Sequence, residues 1–107
     1  MTSVGTIANM QATELVRQHI VYAENKFTEL VLWRLAHPLA GSRHPYKYRL
    51  EYIVNEVCVL RYDNEGVKGD RSHWGEKEGT YRFSTPEKLT QDFQHDIERW
   101  NDENSDS

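Results

Sequence analysis

The chain reads as an α+β domain. The expected architecture is a mostly antiparallel four-stranded sheet with an N-terminal and a C-terminal helix packed on it, in the order α-β-β-β-β-α. Three patterns carry this expectation. YKYRLEYIV at 46–54 alternates cleanly, with Tyr46, Tyr48, Leu50, Tyr52 and Val54 on one parity and Lys47, Arg49, Glu51 and Ile53 on the other, as in a half-buried strand. Leu89, Phe93, Ile97 and Trp100 fall at i, i+4, i+8 and i+11, one stripe of a helix. Leu15, Val16, His19, Ile20 and Ala23 also sit at helical spacing.

The first helix is expected from about Met10 to Ala23, with Asn9 as its cap, Asn25 as its stop and residues 1–8 frayed. FTELVLWRL at 27–35 fits a strand buried on much of both faces, because Phe27, Val31, Trp33 and Leu35 share one parity and Leu30 and Leu32 the other. AHPLAGSRHP is a loop: Pro38 and Pro45 cannot donate to a ladder, and Gly41 suits a bend. Asn55-Glu56 reads as a hairpin turn from strand 46–54 into VCVLRY at 57–62. A polar loop leads to GTYRF at 79–83, the fourth strand. In the closing helix, Ser84 and Glu87 have capping-box spacing, and Pro86 is tolerated in the first turn, where its missing N–H has no partner to lose.

A length of 107 residues suits one domain. Residues 1–100 form the expected domain, and the acidic tail NDENSDS at 101–107 is expected to be disordered. The net charge is −4, of which the tail carries −3, leaving the body near −1. No bulk positive field advertises nucleic acid, so any such binding rests on a local patch. One cysteine, Cys58, forbids an intrachain disulfide and suits a reducing cytosol. No secretory signal is visible, and no apolar stretch approaches the roughly 20 residues of a membrane span.

Two regions carry candidate chemistry. Lys47 and Arg49 stand two residues apart on one strand face, preceded by Arg43 and His44, with no acid between 43 and 50. Such a face holds a phosphodiester backbone when cations neutralise phosphates and nearby Tyr rings stack on bases; it is equally an ordinary solvated sheet face. Arg61 joins these cations only if an odd-length turn or a bulge pairs it with Arg49, since a plain two-residue turn puts it on the opposite face.

The second region is RYDNEGVKGDRSHW at 61–74. His73 suits general acid/base work, since imidazole titrates near neutrality, with Arg61 and Lys68 stabilising charge on a phosphate. A divalent metal on Asp63, Glu65, Asp70 and His73 is a second reading, although Asp63-Asn64-Glu65-Gly66 lacks a calcium-loop pattern. A plain polar connection is the third, with Asp63-Asn64 bonding its own backbone and Gly66 and Gly69 supplying positive φ. Among the remaining candidates, His19 is expected to pack on the first helix and Cys58 to be an inert buried thiol.

Taken together, VLWRL, HPYKYRLEYIV, VLRYDNEGVKGDRSHW and TYRFSTPEKL with its following Asp-Phe resemble the TumE-type toxins of bacterial toxin–antitoxin pairs. The resemblance covers most of residues 27–97, and RYDNE followed by KGD is its most specific part. It implies a cytoplasmic toxin partnered by a helix-turn-helix antitoxin, acting as a ribonuclease that arrests growth without metal or cofactor. The catalytic positions it implies are His73, Arg61, Asp63, Lys68 and Asp70; those on RNA or phosphate are Lys47, Arg49 and Asn64, and Arg71 is expected to join the latter. One departure stands out: the family pattern has histidines at both positions where this chain has Arg71 and His73. The competing readings are a non-catalytic RNA- or protein-binding module and a metal-dependent nucleic-acid hydrolase.

Overall fold

The computed structural model describes residues 12–104. Its elements are β1 (Ala12–Ala23), β2 (Lys26–Leu35), β3 (Tyr46–Val54), β4 (Val57–Asp63), β5 (Arg71–Trp74), β6 (Lys77–Thr80) and α1 (Pro86–Asn104). The strands form a single antiparallel meander in sequential order. The α+β class, the antiparallel sheet and the C-terminal helix are as expected. The strand and helix counts are not: among the described residues there are six strands and one helix, rather than four and two.

The expected first helix is the edge strand β1. Its neighbour β2 offers ten residues of backbone partners, and the Glu24-Asn25 turn sets Ala23 opposite Lys26. Thr13, Val16, Ile20 and Val21 are β-branched, which suits a strand better than a helix. A register shift between Glu14 and Val16 breaks the period of two and leaves a false helical stripe. Beyond it, Val16, Gln18, Ile20 and Tyr22 line one face. The proposed cap at Asn9, the start at Met10 and the frayed residues 1–8 lie outside the described residues, as do 105–107.

β3 has the expected parity. Tyr48, Leu50, Tyr52 and Val54 are buried and join Leu32, Leu60 and Tyr62 under Leu89, Phe93 and Ile97 of α1. Fully burying each of the three helix side chains contributes about 1.5–3 kcal/mol. The tyrosines also reach through the core to polar groups on the helix: Tyr62 donates to Asp96 at 2.7 Å and Tyr52 to Asn101 at 2.7 Å. Tyr81, beyond β6, donates to Asp92 at 2.6 Å. Thr85 rather than Ser84 caps the helix, accepting the Lys88 N–H at 3.0 Å. The helix runs to Asn104, so residues 101–104, expected as disordered tail, are helical.

Asn55 and Glu56 form the expected hairpin turn, both with positive φ (52° and 68°). Val59 is then an extra residue on β4, because Ile53 faces Cys58 while Tyr52 faces Leu60. This bulge turns Arg61 and Asp63 to the face opposite the helix. It pairs Arg61 with Glu51, and Arg49 with Asp63, rather than Arg61 with Arg49. Cys58, expected to be buried, is exposed on that same outer face. The polar run after β4 contains β5, too short and too polar to announce itself. It ends in a turn at Gly75, whose positive φ of 63° closes the hairpin to β6. Tyr81 and Phe83, assigned to the fourth strand, leave the ladder: Phe83 stacks on His44 at 3.9 Å between ring centroids.

Candidate active site

The outer face of β3 to β6 is a grid of charges set by register. One row runs Arg49, Asp63, Arg71, Thr80; the next runs Glu51, Arg61, His73, Glu78. Directly opposed side chains on neighbouring strands start about 4.5–5.5 Å apart, so residues distant in sequence become contacts. The loop from Asn64 to Asp70 arches over one end. Between loop and sheet lies a groove of about 360 Å³ lined by Arg61, Asp63, Lys68, Arg71, His73 and Glu78.

Three cations face two carboxylates in this groove. The Arg71 Nε–H donates to Glu78 Oε2 at 3.0 Å, and its Nη1 donates to Thr80 at 3.3 Å. The Lys68 ammonium stands 4.0 Å from Glu78 Oε1, and His73 Nε2 stands 3.9 Å from Oε2. The Arg71 hydrogen bond, aided by the nearby Lys68 and His73 against partial burial, holds the Glu78 carboxyl below the usual carboxylate range. Arg61 Nε lies 3.1 Å from Asp63 Oδ2, yet the N–H points off that line and is buried without an acceptor. The side chain as a whole is 38% exposed, so what an incoming anion can meet is its exposed guanidinium edge, not the buried Nε.

Arg61, Asp63, Lys68, Arg71 and His73 are thus brought together, and Lys47 and Arg49 flank them on β3. Arg49 is held by Glu65 at 2.9 Å, and Lys47 has no ion-pair partner among the described residues. Two expected site residues are elsewhere. Asn64 is buried, its amide donating to the Tyr46 carbonyl at 2.7 Å and accepting the Tyr48 N–H at 3.0 Å. It staples the loop to β3 and leaves no group for phosphate. Asp70 is turned toward the helix side, where its Oδ2 accepts from Tyr48 at 2.6 Å and bonds His44 at 2.9 Å. Glu78 was missed, because only the β5–β6 hairpin reveals that it faces His73. Among the described residues no group of three His, Cys, Asp or Glu side chains is placed to hold a metal ion.

A sequential antiparallel meander backed by one helix, with a charged, histidine-bearing groove on its open face, defines a small α+β protein whose candidate site lies on its sheet. The chain belongs to the TumE toxin family: the family model described as Toxin TumE matches residues 6–101. Membership marks it as a toxin of a toxin–antitoxin system, which implies an antitoxin partner. No curated protein and no solved structure matches it. Among the described residues no helix is long and apolar enough to cross a membrane.

Proposed function

We propose that this toxin is a cytoplasmic, metal-independent ribonuclease, neutralised by a helix-turn-helix antitoxin. The observation that carries the reading is the position of His73, against Glu78 and among Arg61, Lys68 and Arg71 in one groove. The substrate phosphodiester lies against the three cations. The ribose 2′-oxygen attacks phosphorus, forming the O2′–P bond, and the P–O5′ bond breaks. Glu78, held ionised by Arg71, accepts the 2′-hydroxyl proton, and His73 delivers a proton to the leaving 5′-oxygen. The products are a 2′,3′-cyclic phosphate and a 5′-hydroxyl.

The family pattern's second histidine position is held here by Arg71; Glu78 serves instead as the partner of His73, and Arg71 orients it. Arg61, through the exposed edge of its guanidinium, and Lys68 stabilise the charge growing on the phosphoryl oxygens. Asp63 steadies Arg61. Lys47 and Arg49 continue the cationic track for the neighbouring backbone. Asp70 has no part in the groove chemistry, since Tyr48 and His44 hold its carboxylate on the other side.

The test is cleavage of a 5′-labelled RNA with and without EDTA, with product ends mapped. The expected result is EDTA-resistant cleavage leaving cyclic phosphate. RNA that is retarded but left intact points to a binding module. Activity lost to EDTA and restored by a divalent ion, or products with 3′-hydroxyl ends, would overturn the mechanism.

A further inference from the structure

The larger cleft on the helix side of the 64–70 loop is unused by this mechanism. We propose that it is a second RNA subsite, holding the nucleotide that flanks the scissile phosphate; the inference rests on the ribonuclease reading of the groove. The cleft measures about 630 Å³ and is lined by Arg43, His44, Lys68, Asp70, Arg82 and Phe83, among others.

Its floor is rigid. His44 Nδ1 accepts the Tyr46 N–H at 3.3 Å, which leaves the ring proton on Nε2, 2.9 Å from Asp70 Oδ2. Tyr48 donates to the same oxygen at 2.6 Å. Both imidazole nitrogens are occupied, so His44 positions the floor and moves no proton. With 16% and 15% of their side-chain surface exposed, His44 and Asp70 form a fixed wall. Phe83 stacked on His44 completes it and offers ring surface for a base.

Its rim is cationic and unpaired. Arg43 and Arg82 are exposed and face no acid among the described residues. Arg17, Arg49, Arg61, Lys68, Arg71, Lys88 and Arg99 each stand within 4.0 Å of a carboxylate; Lys26, Arg34, Lys47 and Lys77 have no ion-pair partner among the described residues either, but do not line this cleft. In a chain of net charge −4, two free guanidinium groups on one cleft remain available to an external anion. The Asp70 carboxylate repels phosphate from the floor, so the phosphate sits at the rim and the base lies inward. Lys68 lines both this cleft and the groove, and Gly69, with φ of +84°, turns the chain beside it. The two openings therefore adjoin at one residue, whose ammonium lies on the groove side, 4.0 Å from Glu78.

The test compares a dinucleotide with an eight-nucleotide RNA that carries one cleavable ribose among 2′-deoxy positions, using wild type and Arg43→Ala/Arg82→Ala. Wild type should show a higher kcat/KM on the longer substrate, and the double variant should bring the ratio of the two down about tenfold or more. A second arm measures binding of a 2′-O-methyl octamer, which cannot be cleaved. Losing two phosphate contacts should weaken binding and reduce the salt slope by about 1.4. A wild type that cleaves neither substrate defeats the ribonuclease reading, and the binding arm still decides the subsite. An unchanged ratio in an active enzyme, or unchanged octamer affinity and salt slope, overturns it. Both arginines are exposed and unpaired, so a matching melting temperature verifies that the variant is folded.

Discussion

His73 and Glu78 are direct cross-strand partners in the β5–β6 hairpin, their Nε2 and Oε2 atoms 3.9 Å apart. This separation is beyond hydrogen-bond length but within ion-pair range. In the proposed mechanism the two side chains are the groove's proton-transfer pair.

Replacing either one therefore removes catalysis while sparing RNA binding. His73→Ala and Glu78→Gln should each lower the cleavage rate by roughly 10²–10⁴-fold. Their dissociation constants for uncleavable RNA should stay within a few-fold of wild type, because several cations share the binding. Arg49→Ala should do the reverse, weakening binding and flattening its salt dependence. Undiminished cleavage by His73→Ala would falsify the assignment.

Arg71 controls the charge state of Glu78. Its hydrogen bond is the largest influence holding that carboxyl below the ordinary range. Arg71→Ala should raise the Glu78 titration toward the ordinary carboxylate value, as followed by carboxyl-carbon NMR. The pH window follows from the sign. With a depressed folded value, the ionised form is favoured in the native state. That stabilisation is present above the unfolded pKa and fades as pH falls through the folded one, and Arg71→Ala should reduce it, leaving the share that Lys68 and His73 contribute. Arg71→His takes away the hydrogen bond to Glu78 and should lower cleavage; a rise would show that a second histidine, not Glu78, is the better partner of His73.

Alkaline pH should destabilise the fold through its buried tyrosines. Burial, followed by donation to Asp70 and Asp96 respectively, pushes the Tyr48 and Tyr62 hydroxyls well above their ordinary value. Tyr81 is pushed the same way by burial and by donation to Asp92. The raised folded values mean that this stabilisation is complete below the unfolded pKa of about 10 and is lost as pH climbs beyond it. Each of Tyr48 and Tyr62 should add a slope of up to about 1.4 kcal/mol per pH unit. Tyr62→Phe should flatten the fall in melting temperature between pH 9 and 11, and an equal slope in wild type and variant would defeat the argument.

The end of α1 is part of the fold. Asn101 accepts the Tyr52 hydroxyl at 2.7 Å, and Tyr52 is 1% exposed. Asn101→Ala leaves that hydroxyl without its acceptor and should cost about 1–3 kcal/mol. At about 4–8 °C per kcal/mol for a domain of this size, thermal unfolding resolves the change. Truncation after Trp100 removes the same bond and four helical residues, so its melting temperature should fall at least as far. Unchanged melting in both proteins would show that the contact contributes nothing.

The parts legible in the sequence are those with an unbroken local period. The alternation of Tyr48, Leu50, Tyr52 and Val54 placed β3 and its buried face. The Leu89, Phe93, Ile97 stripe placed the helix, and Asn55-Glu56 placed the hairpin. The RYDNE and KGD runs marked the family and three of the groove's side chains, Arg61, Asp63 and Lys68. What only the tertiary structure decided depends on pairing between segments far apart in the chain. β1 is a strand because β2 supplies its backbone partners, and a register shift disguises its period as helical. Arg61 joins the outer face because one extra residue, Val59, reverses the parity of everything after it. Asp70 leaves the groove because Tyr48 and His44 offer its carboxylate hydrogen bonds on the other side. Glu78 enters it because the hairpin register sets it opposite His73. Side-chain period is a property of neighbours along the chain, whereas register is settled only when the strands meet.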